Sequence, residues 1–226
     1  MGEVAWRQAI ETLKHKTFKM WLLISLFQWL AGLSQQTRMR IGAFLTRLTP
    51  WLIPKRIKIV ARNLELCFPE LTADQRLEMR QKHLRALTQS FVDRSVFWFG
   101  SADTIRSLIS VCGHEQVPGL IAHHGSVMLL APHFIGLDAA ATRLTLEGPA
   151  GATMYTPQSN ADIDMLVKLG RARFNTIHLV SRRDGIRPLI RYIEQHLPVY
   201  YLPDMDFGRK GAVFVPFFGV EAATQT

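Results

Sequence analysis

Of the eight histidines in the chain, one stands five residues ahead of an aspartate: His133 and Asp138, in the run Ala131-Pro132-His133-Phe134-Ile135-Gly136-Leu137-Asp138. Imidazole exchanges protons near neutral pH. A carboxylate that accepts from one ring nitrogen fixes the tautomer and steadies the imidazolium formed during reaction, which leaves the other nitrogen to take a hydroxyl proton. Positions i and i+5 of an unbroken helix do not share a face. The pair therefore needs a loop that turns into a helix, and the sequence supplies one: residues 127–131 predict a strand and residues 135–146 a helix. A structural histidine is the competing reading. The place at a strand's carboxyl end, where open α/β sheets bind ligands, favours a general base. There is no G-x-S-x-G elbow, and Cys67 and Cys112 lie upstream of the predicted sheet. Direct attack by an activated hydroxyl is expected, without a covalent enzyme intermediate.

Other predicted strand ends carry charge. Arg182, Arg183 and Asp184-Gly185 precede a helix that begins near Ile186. Arg183, with Arg187 one turn in, has the chemistry to hold a phosphate at a helix N-terminus; a solvated loop capped by Asp184 is the alternative. Asp204 and Asp206 share one side if their strand continues, since side chains alternate with period two. They suit positioning of polar substrate groups, and they also imitate the D-x-D motif that holds a divalent metal on a sugar nucleotide. Arg171 and Arg173 sit on a predicted helix, where surface charge is the commoner reading; Arg171 is the candidate substrate ligand of the two. His123-His124 reads as helix-end surface. With no C-x-x-C and no Cys/His ligand cluster, neither a metal nor a cofactor is expected.

The elements that must position these residues fall into two stretches. Residues 1–62 hold eleven Lys/Arg against Glu3 and Glu11, and the rest carries sixteen charges of each sign. A basic first third on a neutral body argues against a nucleic-acid groove and suits anionic lipid headgroups. Residues 20–37 contain no charge, and Trp21, Trp29, Lys19 and Arg38 resemble interfacial anchors. As one helix of about 27 Å the segment would fall just short of a hydrocarbon core of ~30 Å. It is expected to be a transmembrane or leaflet-embedded helix, with a buried core helix as the alternative. Residues 3–16 predict a basic helix; residues 38–68 predict further basic helix broken around Pro50 and Pro54, its second part lying on a surface. Thr72-Ala73-Asp74-Gln75 is a capping box that opens a long helix to about Phe99. A helix at 102–111 follows. In the run Phe91, Phe97, Trp98, Phe99, core packing competes with an apolar substrate groove.

From Gly113 strands alternate with helices: strands at 127–131, 152–155, 176–180, 198–203 and 213–215, helices at 135–146, 161–174 and 185–196. The fold class is α/β, a largely parallel sheet with flanking helices preceded by a helical membrane-associated N-terminal region. The linear division is 1–112 for the helical region and 113–226 for the α/β region.

The chain resembles the late (secondary) acyltransferases of lipid A biosynthesis, within the glycerolipid acyltransferase superfamily. The resemblance is carried by Ala61-Arg62-Asn63-Leu64-Glu65-Leu66-Cys67-Phe68-Pro69-Glu70, the H-x4-D box, Tyr155-Thr156-Pro157 with Asn160, Gly170-Arg171, Arg183-Asp184, Pro203-Asp204-Met205-Asp206-Phe207-Gly208 and Val215-Pro216-Phe217-Phe218-Gly219. Thr156 stands where the family usually has Arg. The resemblance implies an enzyme of the bacterial inner membrane facing the cytoplasm. Its donor would be acyl carrier protein, and its acceptor a hydroxyl on a phosphorylated glucosamine disaccharide lipid. It also implies that the family's sheet continues beyond Thr226, so that a truncated sheet is expected. Another lipid acceptor such as a lysophospholipid, a metal-dependent glycosyltransferase and a non-catalytic truncated relative are the competing functions.

Overall fold

The computed structural model describes residues 2–204 and 212–225. Four short apolar runs pair side by side in it, all parallel: β1 (Met128–Leu130), β2 (Gly151–Tyr155), β3 (Ile177–Ser181) and β4 (Val199–Tyr201), in the order β1-β4-β2-β3. The register sets Met128 and Ala152 on either side of Val199, and Gly151 opposite Ile177. Parallel neighbours need crossover connections. Three helices serve, α8 (Leu137–Glu147), α9 (Ala161–Arg171) and α10 (Arg187–Glu194), so the expected strand–helix alternation is borne out. A further helix, α7 (Gln116–His124), precedes β1 and ends at the His123-His124 pair, as that pair's reading as a helix end requires. Leu189 of α10 packs with Ala152, Val180 and Val199 in a small core, with Tyr192 and Ile193 of the same helix against it.

The larger core joins α9 to helices from the chain's beginning. Trp6, Ile10 and Leu13 of α1 (Glu3–Lys14) and Met20 and Ile24 of α2 (Phe18–Gly32) pack with Leu166 and Leu169. Val96, Phe97 and Trp98 near the end of α5 (Ala73–Phe99) and Ile105 of α6 (Ala102–Leu108) complete it. Trp6 Nε1 donates to the Leu169 carbonyl at 2.9 Å. Phe97 and Trp98 are therefore core. These elements form one compact unit, Met1–Gly32 with Arg94–Leu202, so the helical beginning shares a unit with the sheet and the contact units do not follow the linear cut at residue 112.

The expected spanning helix is corrected here. No helix among the described residues is long and apolar enough to cross a membrane. The uncharged run is not one helix: α2 has 15 residues and stops at Gly32, and the Ser34 hydroxyl accepts from Thr37 N–H to start α3 (Gln35–Leu52). Fifteen residues reach about 22 Å. One face of α2 goes to the core, and the opposite stripe, Phe18, Trp21, Leu22, Leu26 and Trp29, is exposed.

The second unit is Leu33–Asp93 with Pro203–Thr226. It contains α3, α4 (Pro54–Cys67), the first part of α5 and an antiparallel hairpin, β5 (Ala212–Phe217) with β6 (Val220–Gln225). Pro50 lies within α3; the break falls at Ile53, and Pro54 opens α4, where its missing N–H costs nothing. The capping box forms as expected: Thr72 N–H donates to Gln75 Oε1 at 2.8 Å, and Gln75 N–H to Thr72 Oγ1 at 3.3 Å. Phe218 and Gly219 turn the hairpin with φ of 52° and 74°, the left-handed pair that matches strand twist.

Candidate active site

The β1–β4 pairing runs one residue past β1, because Ala131 N–H donates to the Tyr201 carbonyl at 2.9 Å. The chain then turns. Phe134 N–H reaches the Pro132 carbonyl, Leu137 N–H reaches the Phe134 carbonyl at 3.0 Å, and α8 begins behind Gly136. This is the strand, loop and helix that the H-x4-D spacing requires. It leaves His133 on an exposed loop at the strand's carboxyl end and Asp138 in the first helical turn, where a carboxylate is favoured by the helix dipole.

Two arginines hold Asp138. Arg94 of α5 donates from Nε to Oδ2 at 3.0 Å, and its Nη2 reaches the same oxygen. Arg171 Nη2 stands 3.9 Å from Oδ1. Both carboxylate and Arg94 are about a quarter exposed. The Arg94 guanidinium also lies 5.7 Å from the centre of the Trp98 ring. Gly170, next to Arg171, has no room for a side chain, because a Cβ there would stand 2.5 Å from the Trp98 indole. That close approach of α9 to Trp98 is what brings Arg171 to Asp138. Arg171, a candidate substrate ligand from the sequence, thus stands beside the Asp138 carboxylate; Arg94 was not anticipated, its signal being a lone cation between Val92 and Val96 of a long helix.

The remaining strand ends differ in character. After β2, Asp164 accepts from Lys168 Nζ at 2.8 Å and from Gln158 N–H at 2.8 Å, which hold its carboxyl below the usual range, while the Asp164 carboxylate raises Lys168. A depressed carboxylate contributes stability above the ordinary carboxylate range, and that contribution is lost as pH falls through the lowered value. Asn160 caps α9 by accepting from Asp162 and Ile163 N–H. After β3, Arg182–Asp184 form a single 3-10 turn capped by Ser181 Oγ, Gly185 takes φ 71°, and α10 starts at Arg187 without a side-chain cap from Asp184. Arg183 and Arg187 are exposed. β3 and β1 are the two edges of the sheet, three strand spacings or about 14 Å apart.

Arg173 is buried, over the rings of Trp6 and Phe174 at 4.9 and 4.5 Å, and burial lowers its pKa. His123 and His124 end α7, as helix-end surface. Asp204 is exposed and belongs to the second unit; Asp206 lies outside the described residues. Among the described residues no group of three or more His, Cys, Asp or Glu could hold a metal ion.

Comparison with known proteins adds a family to this geometry. Residues 7–226 match the model of the bacterial lipid A biosynthesis acyltransferases. The chain is 32% identical over 206 residues to the lipid A biosynthesis lauroyltransferase of Escherichia coli, covering 91% of this chain and 66% of that protein. It is 34% identical over 166 residues to a lipid A biosynthesis acyltransferase of Haemophilus influenzae, 74% of this chain and 52% of the relative. With the E. coli lipid A biosynthesis palmitoleoyltransferase it shares 32% over 187 residues, 83% of this chain and 59% of the relative. The chain thus spans between half and two-thirds of the length of these relatives.

Proposed function

Because the chain belongs to the bacterial lipid A biosynthesis acyltransferase family, we propose that it moves a fatty acyl group from acyl carrier protein to a hydroxyl of a phosphorylated lipid A precursor, with His133 as general base and Asp138 orienting it. The observation that carries this reading is the family match, whose range of residues 7–226 includes the strand-end H-x4-D loop. In the reaction the acceptor oxygen attacks the thioester carbonyl as His133 takes its proton, and the C–S bond breaks. The imidazolium then returns the proton to the departing thiolate, so atoms and charge balance. Asp138 steadies the imidazolium. Arg94 occupies its Oδ2, and Oδ1, with Arg171 only at ion-pair distance, keeps acceptor capacity for an imidazole N–H.

Exposed Arg183 and Arg187, at the sheet edge about 14 Å from β1, suit phosphates of an acceptor as broad as a disaccharide. Asp204 and Asp206 are assigned to polar groups of the same acceptor. The exposed apolar stripe of α2 and the basic first third support attachment to the bacterial inner membrane, with the catalytic side toward the cytoplasm. Relatives named for lauroyl and palmitoleoyl transfer match overlapping parts of this chain, so donor length is to be measured.

The test is turnover of the full chain in detergent with lauroyl-acyl carrier protein and a phosphorylated glucosamine disaccharide acceptor. His133→Ala is expected to lose ~10²–10⁴-fold with folding intact. Near-normal turnover in that variant would remove His133 as base. A stoichiometric burst of acylated protein without acceptor would replace the direct mechanism by a covalent one.

A further inference from the structure

The geometry points to Arg94, on a helix about forty residues upstream of the H-x4-D box, as the positioning residue of this site: we propose that it sets the Asp138 carboxylate in the orientation from which Asp138 serves His133. The inference rests on the assignment of His133 and Asp138 above, and goes beyond it by naming the group that determines where Asp138 points. A carboxylate in the first turn of a helix can rotate about two bonds. Here Arg94 reaches Oδ2 with two nitrogens, Nε and Nη2, from a different helix. A guanidinium engaged through two donors fixes direction as well as distance, which an ammonium on the same stem does less well.

Arg94 is itself fixed. It grows from α5 one turn before Trp98, its guanidinium lies against the Trp98 ring, and that ring is buried in the larger core. α9 packs against the same ring system, where only glycine fits at position 170. The same contact delivers Arg171 to Oδ1 at 3.9 Å. The carboxylate is thus referenced to the core through Trp98, on one oxygen tightly and on the other loosely.

The experiment is a kinetic cycle on the full chain in detergent with lauroyl-acyl carrier protein. It uses wild type, Arg94→Met, Arg94→Lys, Asp138→Asn and the Arg94→Met/Asp138→Asn double variant, each with its melting temperature. Arg94→Met is expected to lower kcat about ten-fold with KM for the donor within two-fold, since a misplaced orienting group acts on the chemical step. Arg94→Lys should recover part of the loss. In the Asp138→Asn background, Arg94→Met should cost less than a further two-fold, because residues that act as a unit are not additive.

An equal ten-fold cost of Arg94→Met with and without the Asp138 carboxylate would overturn the inference, since Arg94 would then act elsewhere. So would a variant whose only change is a lower melting temperature with kcat intact. Wild-type turnover in both His133→Ala and Asp138→Asn is the separate signature of a wrong base assignment. It would take the role of Arg94 with it.

Discussion

The α1–α2 and α3–α4 regions both mix apolar residues with charge, the first with three cations against Glu3 and Glu11, the second with seven against Glu65, and they fold to opposite uses. The first pair sends Trp6, Ile10, Leu13, Met20, Ile24 and Leu30 into burial. The second pair buries Arg38, Gly42 and Thr49 from α3 and nothing from α4. Polar groups hold α3 instead: Thr46 and Thr88 hydroxyls meet at 2.6 Å, and a Cβ on Gly42 would collide with the Gln89 side chain. Arg38, almost wholly buried, faces Asp93 at 3.5 Å. Spacing alone does not decide which helix is core: α4 carries Ile57, Val60 and Leu64 at helical intervals and buries none of them, so the partner that a stripe meets decides. The spacing in α1, at Trp6, Ile10 and Leu13, is a helical stripe.

The largest effect that sharpens the comparison belongs to the first region. Ile24 is fully buried. Ile24→Ala should cost about 2–4 kcal/mol, from lost transfer energy and the cavity left behind. Urea unfolding checks it; a cost below about 1 kcal/mol would mean that α2 is not part of the core. By the same packing, deletion of residues 1–37 removes a core layer and is expected to unfold the first unit, so membrane attachment is better probed by point substitution.

A smaller loss is expected in the second region from Asp93→Asn. The substitution keeps shape and removes the only acidic partner of the buried Arg38 among the described residues. It should cost about 1–3 kcal/mol, the range for leaving a buried charged donor poorly matched. Ile59→Ala in α4, at a half-exposed residue, should stay within about 0.5 kcal/mol. Equal losses at Ile59 and Ile24 would erase the distinction between the two regions.

What the sequence made legible follows from its periodicities. The parallel strands and crossover helices were readable because each apolar run is short and bounded, and the capping box because its two reciprocal bonds need only residues 72 and 75. The end of α2 was not, since Ser34-Gln35-Gln36-Thr37 carry no charge and read as the polar tail of one uncharged segment. The aspartate of the H-x4-D box was visible, while its partners were not. Arg94 and Arg171 lie 44 and 33 positions away in the chain, and no local pattern encodes a contact made by tertiary packing on Trp98. Only the end of α7 was legible, at His123-His124; its extent was hidden by Pro118 and Gly119, which read as breakers although proline is tolerated in a first turn.

The smallest effect on stability should carry the largest information about lipid. Phe18, Trp21, Leu22, Leu26 and Trp29 recur at three- and four-residue intervals on the face of α2 away from the core, and all are exposed. In water such a row gains nothing from being apolar, so Leu22→Ser, Leu26→Ser and Trp29→Ser together should change the unfolding free energy by no more than about 1 kcal/mol. Against vesicles of phosphatidylglycerol and phosphatidylethanolamine the outcome is opposite. Each side chain that enters the acyl boundary contributes roughly 1.5–3 kcal/mol of transfer energy, so the triple variant should bind at least a hundred-fold more weakly. The remaining attachment would come from Lys55, Arg56, Lys58 and Arg62 of α4 and should vanish between 0.1 and 1 M salt, as the Debye length falls from about 10 to 3 Å. Charge neutralisation at those four positions, by contrast, should leave a salt-resistant component carried by α2. Unchanged vesicle binding in the triple variant would show that the exposed stripe meets something other than lipid, and would leave α4 as the membrane contact.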